Sequence, residues 1–84
     1  MNPNIKTIET HYDNGQLCAR YTRKDGKRDG LYESWYLDGK PAVRCTYMDG
    51  KLEGLYESWH GNGKPWARRT YKDGKLVEDL EAQA

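Results

Sequence analysis

A period of 24 residues, repeated without a gap, restricts this chain to architectures in which one small unit is stacked on copies of itself. Leu31-Tyr32-Glu33-Ser34-Trp35 returns as Leu55-Tyr56-Glu57-Ser58-Trp59, Gly39-Lys40-Pro41 as Gly63-Lys64-Pro65, and Asp49-Gly50-Lys51-Leu52 as Asp73-Gly74-Lys75-Leu76. A weaker first copy carries Asn14-Gly15 where the later ones carry Asp38-Gly39 and Asn62-Gly63, with Asp25-Gly26-Lys27 at its second turn. The units run 7–30, 31–54 and 55–78, and a short acidic tail covers 79–84. With 84 residues in all, a single domain over 1–84 is expected.

Each unit holds two Asn-Gly or Asp-Gly dipeptides, which suit two-residue hairpin turns because both central positions of such a turn need φ > 0. Six turns imply about seven strands. The intervening segments, such as Leu31 to Leu37, Pro41 to Met48 and Leu55 to His60, have strand length and are rich in aromatic residues. No run has helical spacing long enough for a helix outside the acidic tail. The expected fold class is all-β: an antiparallel meander of tandem hairpins forming a single twisted, elongated sheet.

Treating each Asn/Asp-Gly pair as the centre of a two-residue turn fixes the pairing, since residues equidistant from the turn stand opposite each other. Glu9 then opposes Arg20, Glu33 opposes Arg44 and Glu57 opposes Arg68, the same ion pair three times. Trp35 opposes Ala42 and Trp59 opposes Trp66 on that face. Tyr32 with Cys45, Ser34 with Val43 and Tyr36 with Pro41 fall on the other. One face is a charge ladder edged with tryptophan; the other is built of tyrosine, alanine, valine and proline. Gly30 and Gly54, inside strands, are candidate bulges that would shift register between units.

Phe is absent and the aliphatic set is short, so tyrosine and tryptophan must supply much of the packing. A helix-free sheet has only itself or a partner to cover its faces, so some aromatic surface is expected to stay exposed. Fourteen Lys plus Arg against 13 Asp plus Glu leave a net charge of +1, which disfavours nucleic acid as a partner. The membrane is disfavoured too, because the chain has no apolar run of spanning length, no amphipathic helix and no lipidation motif. Met1 to Thr10 has no apolar run of the kind an export signal needs, and Cys18 and Cys45, placed on opposite faces by the pairing above, read as reduced thiols. A cytoplasmic location is the expectation.

The Gly-Leu-Tyr-Glu-Ser-Trp, Asn/Asp-Gly-Lys and Tyr-x-Asp-Gly-Lys-Leu pattern resembles the MORN repeat variant. It is carried by Gly30 to Trp35 with Asp38 to Lys40, by Tyr47 to Gly54, and by Leu55 to Trp59 with Asn62 to Lys64 through Tyr71 to Leu76. Bacterial proteins that look like this are commonly placed with the YwqK-type antitoxins. The resemblance implies a small protein that binds and neutralises another protein. Two alternatives stand beside it: a self-associating repeat protein that dimerises through an exposed edge strand or aromatic face, and a binder of anionic ligands, either phospholipid, which the resemblance also implies, or single-stranded nucleic acid, whose bases could stack on the aromatics interleaved with Arg44, Arg68 and Arg69.

Nothing in the residues marks a catalytic constellation, and a non-enzyme without cofactor or metal is expected. His11 aligns with Trp35 and His60 with Tyr36, so the two histidines stand in different columns of the repeat, and the cysteines lack a C-x-x-C spacing. The candidate partner-binding residues are Trp59, Trp66, Arg68 and Arg69, with Trp35 and Arg44 as their counterparts one unit earlier, because Tyr, Trp and Arg are the usual anchors of protein interfaces. Trp66 stands in a column that otherwise holds Cys18 and Ala42, and Arg69 in one that holds Tyr21 and Cys45, so the repeat's own packing asks for neither.

Overall fold

The computed structural model describes residues 4–80. They form one open antiparallel sheet with strands β1 (Ile5–His11), β2 (Leu17–Lys24), β3 (Lys27–Trp35), β4 (Pro41–Met48), β5 (Lys51–Leu52), β6 (Gly54–Trp59), β7 (Pro65–Lys72) and β8 (Lys75–Asp79). Neighbours in the sheet follow chain order, and the two-residue β5 pairs only with β4. The described residues are all-β, as the alternation of turn dipeptides and aromatic strands requires. The sheet measures 47 × 37 × 12 Å, so it is one layer thick and its two faces are separate surfaces.

Two kinds of turn alternate. At Asp25-Gly26, Asp49-Gly50 and Asp73-Gly74 both residues have positive φ (52° and 83° at the first), the signature of two-residue type I′ turns. At Asn14-Gly15, Asp38-Gly39 and Asn62-Gly63 only the glycine does, which corrects the expectation of one turn type throughout. There the loop has three residues. In the second unit, Tyr36 N–H donates to Lys40 O (2.8 Å), Gly39 N–H to Tyr36 O (2.9 Å), and the Asp38 carboxylate accepts from Lys40 N–H (3.1 Å). This is a type I turn followed by a left-handed glycine, and the Asn or Asp side chain favours it by closing a local turn of its own.

The longer loop shifts pairing by one residue, and a bulge just beyond it shifts pairing back. Trp35 pairs with Pro41 and Trp59 with Pro65, not with Ala42 and Trp66 as expected, while Tyr36 belongs to the turn and does not pair with Pro41. Cys18, Ala42 and Trp66 are the extra residues. Beyond the bulge the expected register holds, with Glu9 opposite Arg20, Glu33 opposite Arg44, Glu57 opposite Arg68, Tyr32 opposite Cys45 and Ser34 opposite Val43.

Gly30 (φ 99°) and Gly54 (φ 88°) do mark irregularities. Asp29, Gly30 and Leu31 together face the single residue Thr22, a surplus of an even number of residues. An even surplus returns each side chain to its original face, so the faces stay distinct across the junction between units. In the last copy Glu78 stands where these glycines stood, and the register of β8 slips by only one residue at Val77.

The most buried side chains, Cys45 (3% exposed), Ala67, Ser58 and Ala19, belong to the tyrosine face, where the larger rings shield them. Tyr21 stacks on Tyr32 at 5.7 Å between centroids, and Tyr47 meets Tyr32 edge-on at 6.1 Å, as Tyr71 does Tyr56. These are packed aromatic pairs of the kind that contribute about 0.5–1.5 kcal/mol beyond area burial. On the opposite face Glu33 links Arg20 (3.4 Å) to Arg44 (3.9 Å), with Arg20 also near Glu9 (3.5 Å) and Arg68 near Glu57 (3.8 Å). Exposed as they are, such pairs contribute about 0.2–1 kcal/mol each and act mainly to fix register.

Consecutive units are also joined by a hydrogen bond that the column Tyr12, Tyr36, His60 encodes. Tyr12 Oη donates to Trp35 O (2.8 Å) and Tyr36 Oη to Trp59 O (2.6 Å), one unit further along in each case. Tyr36→Phe keeps the ring and leaves that carbonyl short of a donor, so it should destabilise the protein by about 1 kcal/mol in chemical denaturation.

Candidate binding faces

The six sequence-derived candidates do not form one site. Trp35, Trp59, Arg44 and Arg68 lie along the charge ladder, where Trp35, Pro41, Glu33, Arg44 and Trp59 line one shallow hollow and Trp59, Pro65, Arg68 and Leu80 line another. Arg44 and Arg68 are engaged by Glu33 and Glu57. The Arg20 guanidinium sits over the Trp35 ring at 5.5 Å. Both tryptophans are half-buried, so this face is largely satisfied by its own neighbours.

Trp66 goes elsewhere. As the extra residue of a bulge it escapes strict alternation, stacks on His60 with centroids 4.6 Å apart and planes 15° from parallel, and remains 56% exposed. With Val43, Tyr36, Tyr56, Ala67 and Arg69 it lines a hollow of about 230 Å³ on the tyrosine side. Its expected partner Trp59 contributes to the rim of that hollow but does not stand opposite it.

Arg69 is also on the tyrosine side, opposite Asp79, whose carboxylate lies 3.7 Å from its guanidinium. Glu78 in place of a bulge glycine explains this. With the one-residue slip, Asp79 turns toward the tyrosine face and meets the arginine that has replaced Tyr21 and Cys45 in its column. Arg69 thus has a partner within the chain, which sequence reasoning missed because the slip cannot be read without the backbone.

Burial sets the electrostatics of this face. It pushes the Cys45 thiol up to about 11, the Arg28 guanidinium opposing it, and raises the Tyr32 and Tyr56 phenols with Arg28 and Arg69 opposing in turn. Tyr12 is raised chiefly by its hydrogen bond with Cys18. Cys18 is the extra residue of its bulge and so has no cross-strand partner in β1, whereas Cys45 pairs with Tyr32; both thiols are free. Among the described residues no three His, Cys, Asp or Glu side chains converge as a metal site would require, and no helix is long and apolar enough to cross a membrane.

The profile of the MORN repeat variant matches residues 28–49 and 52–73, which together are more than half of the chain. The chain belongs to the MORN repeat variant family. The two matched MORN units begin just after the second turn of the first copy and end at Asp73, the first residue of the second turn of the third, where the identities are densest. MORN repeats are commonly protein-binding or membrane-lipid-binding modules, and their all-β fold is typically non-catalytic. No curated protein and no solved structure matches the chain.

Proposed function

We propose that this MORN protein is a non-catalytic protein-binding module whose contact surface is the tyrosine face around Trp66. The observation that supports this most is the placement of Trp66. A bulge column that holds Cys18 and Ala42 in the other units here holds a large ring, and that ring stays more than half exposed beside an aromatic-lined hollow. Tryptophan in such a setting offers much apolar area at low cost in conformational entropy, and it is a frequent anchor of interfaces. The resemblance to the YwqK-type antitoxins supports the finer reading that the module neutralises the protein it binds, and the two free thiols, Cys18 and Cys45, support a cytoplasmic setting for it.

Affinity capture from extracts of the source cell tests this, with wild type compared with Trp66→Ala. A single stoichiometric protein should be retained by wild type and lost by the variant, while the thermal midpoint stays within about 3 °C because an exposed ring adds little to stability. Normal retention by the variant, or a collapse of its stability, would contradict the assignment.

A second reading has its own support. β8 is an outer strand among the described residues, and all of it is exposed, including Leu76 (53%) and Val77 (62%). Unpaired strand edges with apolar side chains invite pairing with a second copy. Sedimentation equilibrium at tens of micromolar separates the two, since self-association through β8 requires a dimer that a proline in place of Val77 would weaken.

A further inference from the structure

The repeat places a tyrosine opposite a leucine at the outer end of its tyrosine face, Tyr47 against Leu52 in the second unit and Tyr71 against Leu76 in the third. In the first unit both partners are arginine. Arg23 stands directly opposite Arg28, and both guanidiniums lie on the tyrosine side, Arg23 at 5.6 Å and Arg28 at 5.0 Å from the Tyr21 ring centroid. Arg28 is also 5.3 Å from the Tyr32 centroid and 5.5 Å from that of Tyr47.

Like charges directly across two strands repel, and the fold does not need them at this position, since the neighbouring units fill it with an apolar pair. Ring faces attract each cation but neutralise neither. Among the described residues the ion pairs engage Arg20, Lys40, Arg44, Arg68 and Arg69, with neither Arg23 nor Arg28 among them. The result is two exposed guanidiniums side by side on an aromatic bed, each with fork-like donors free of any carboxylate within the described chain.

We infer that Arg23 and Arg28 form a carboxylate-recognition site for an acidic, partly apolar segment of a protein partner, an inference that rests on the protein-binding reading above. Two forks accept a Glu or Asp side chain with charge-assisted hydrogen bonds, and the rings of Tyr21, Tyr32 and Tyr47 take up the apolar residues beside it. The aromatic bed and the near-neutral net charge favour such a segment over a bare phosphate or an anionic lipid surface, which would gain little from the rings and more from a broad positive field.

The test is an NMR titration of the full chain, following the Arg Nε–Hε and Tyr ring resonances, with a capped alternating Glu-Leu peptide as probe. Inorganic phosphate and phosphatidylserine–phosphatidylcholine vesicles serve as separate arms. The variant is Arg23→Tyr/Arg28→Leu, which restores the pair the other units carry and should therefore fold, with a thermal midpoint equal to or above that of wild type. The expected result is a saturable shift of both arginines and of the three tyrosines with the peptide, its affinity weakened at least about tenfold in the variant. Arg23→Gln, which keeps the Arg28 stack, should lose part of that affinity. No saturable shift, equal peptide binding by the variant, or a response to phosphate or vesicles as strong as to the peptide would each overturn the inference. The titration needs no captured partner, so its outcome is separate from that of the Trp66→Ala comparison.

Discussion

Tyr32→Ala should be the most damaging single truncation on the sheet, lowering stability by about 2–3 kcal/mol and the thermal midpoint by roughly 10–20 °C. Tyr32 stacks on Tyr21, meets Tyr47 edge-on, carries the Arg28 guanidinium over its ring and stands opposite Cys45, the most buried side chain described. Removing the ring therefore opens the place where a one-layer sheet comes nearest to having a core. Leu31, its neighbour in sequence, points to the other face and is 42% exposed. Leu31→Ala should cost no more than about 1 kcal/mol. Urea denaturation of the two variants compares the faces directly, and an equal loss would mean that the tyrosine face is not where the packing energy resides.

The second large effect is a loss of stability in alkali. Burial raises the Cys45 thiol from the ordinary 9.0 to about 11, and the Tyr32 and Tyr56 phenols are raised by the same cause. Below pH 9 the thiol is neutral in folded and unfolded chains alike, and the full stability is present. Between about pH 9 and 11 the unfolded chain releases that proton and the folded chain holds it, so stability falls as pH rises, by on the order of 2 kcal/mol from Cys45. Above the folded value both states are ionised and the thiol causes no further loss. Cys45→Ala should remove the part of the decline that begins near pH 9 and leave the later part that belongs to the tyrosines. Urea melts across this range, wild type against Cys45→Ala, check it; parallel profiles would show that the thiol is not buried as described.

What could be read from the sequence, and what could not, follows from the two turn chemistries. The three Glu–Arg pairs and the Tyr32–Cys45 and Ser34–Val43 pairs were legible because the one-residue shift made by each three-residue loop is cancelled by the following bulge. Trp35 and Trp59 lie between the loop and the bulge, where the shift persists, and Trp66 is the bulge residue itself. That is why Trp59 faces Pro65 and why Trp66 leaves the charge ladder for His60. Asn-Gly and Asp-Gly look alike as turn signals, and which class forms depends on whether the first residue enters the left-handed region, as Asp25, Asp49 and Asp73 do, or uses its side chain to close the loop, as Asn14, Asp38 and Asn62 do. The Tyr12, Tyr36, His60 column was visible as a repeat, but its role as a tie between units needed the distance across the sheet. The Arg23 and Arg28 departure was within reach of the column comparison that exposed Trp66, since the pair follows directly from the two-residue turn at Asp25-Gly26 and lies on the turn side of the Gly30 bulge.

The central claim is that the tyrosine face, and not the charge ladder, meets the partner. Isothermal titration of the captured protein against two variants tests it most directly, Trp66→Ala on one face and Arg44→Ala/Arg68→Ala on the other. The account predicts that Trp66→Ala weakens binding by at least about tenfold while the double arginine variant stays within about threefold of wild type. Loss of binding by the arginine variant with Trp66→Ala unaffected would contradict it.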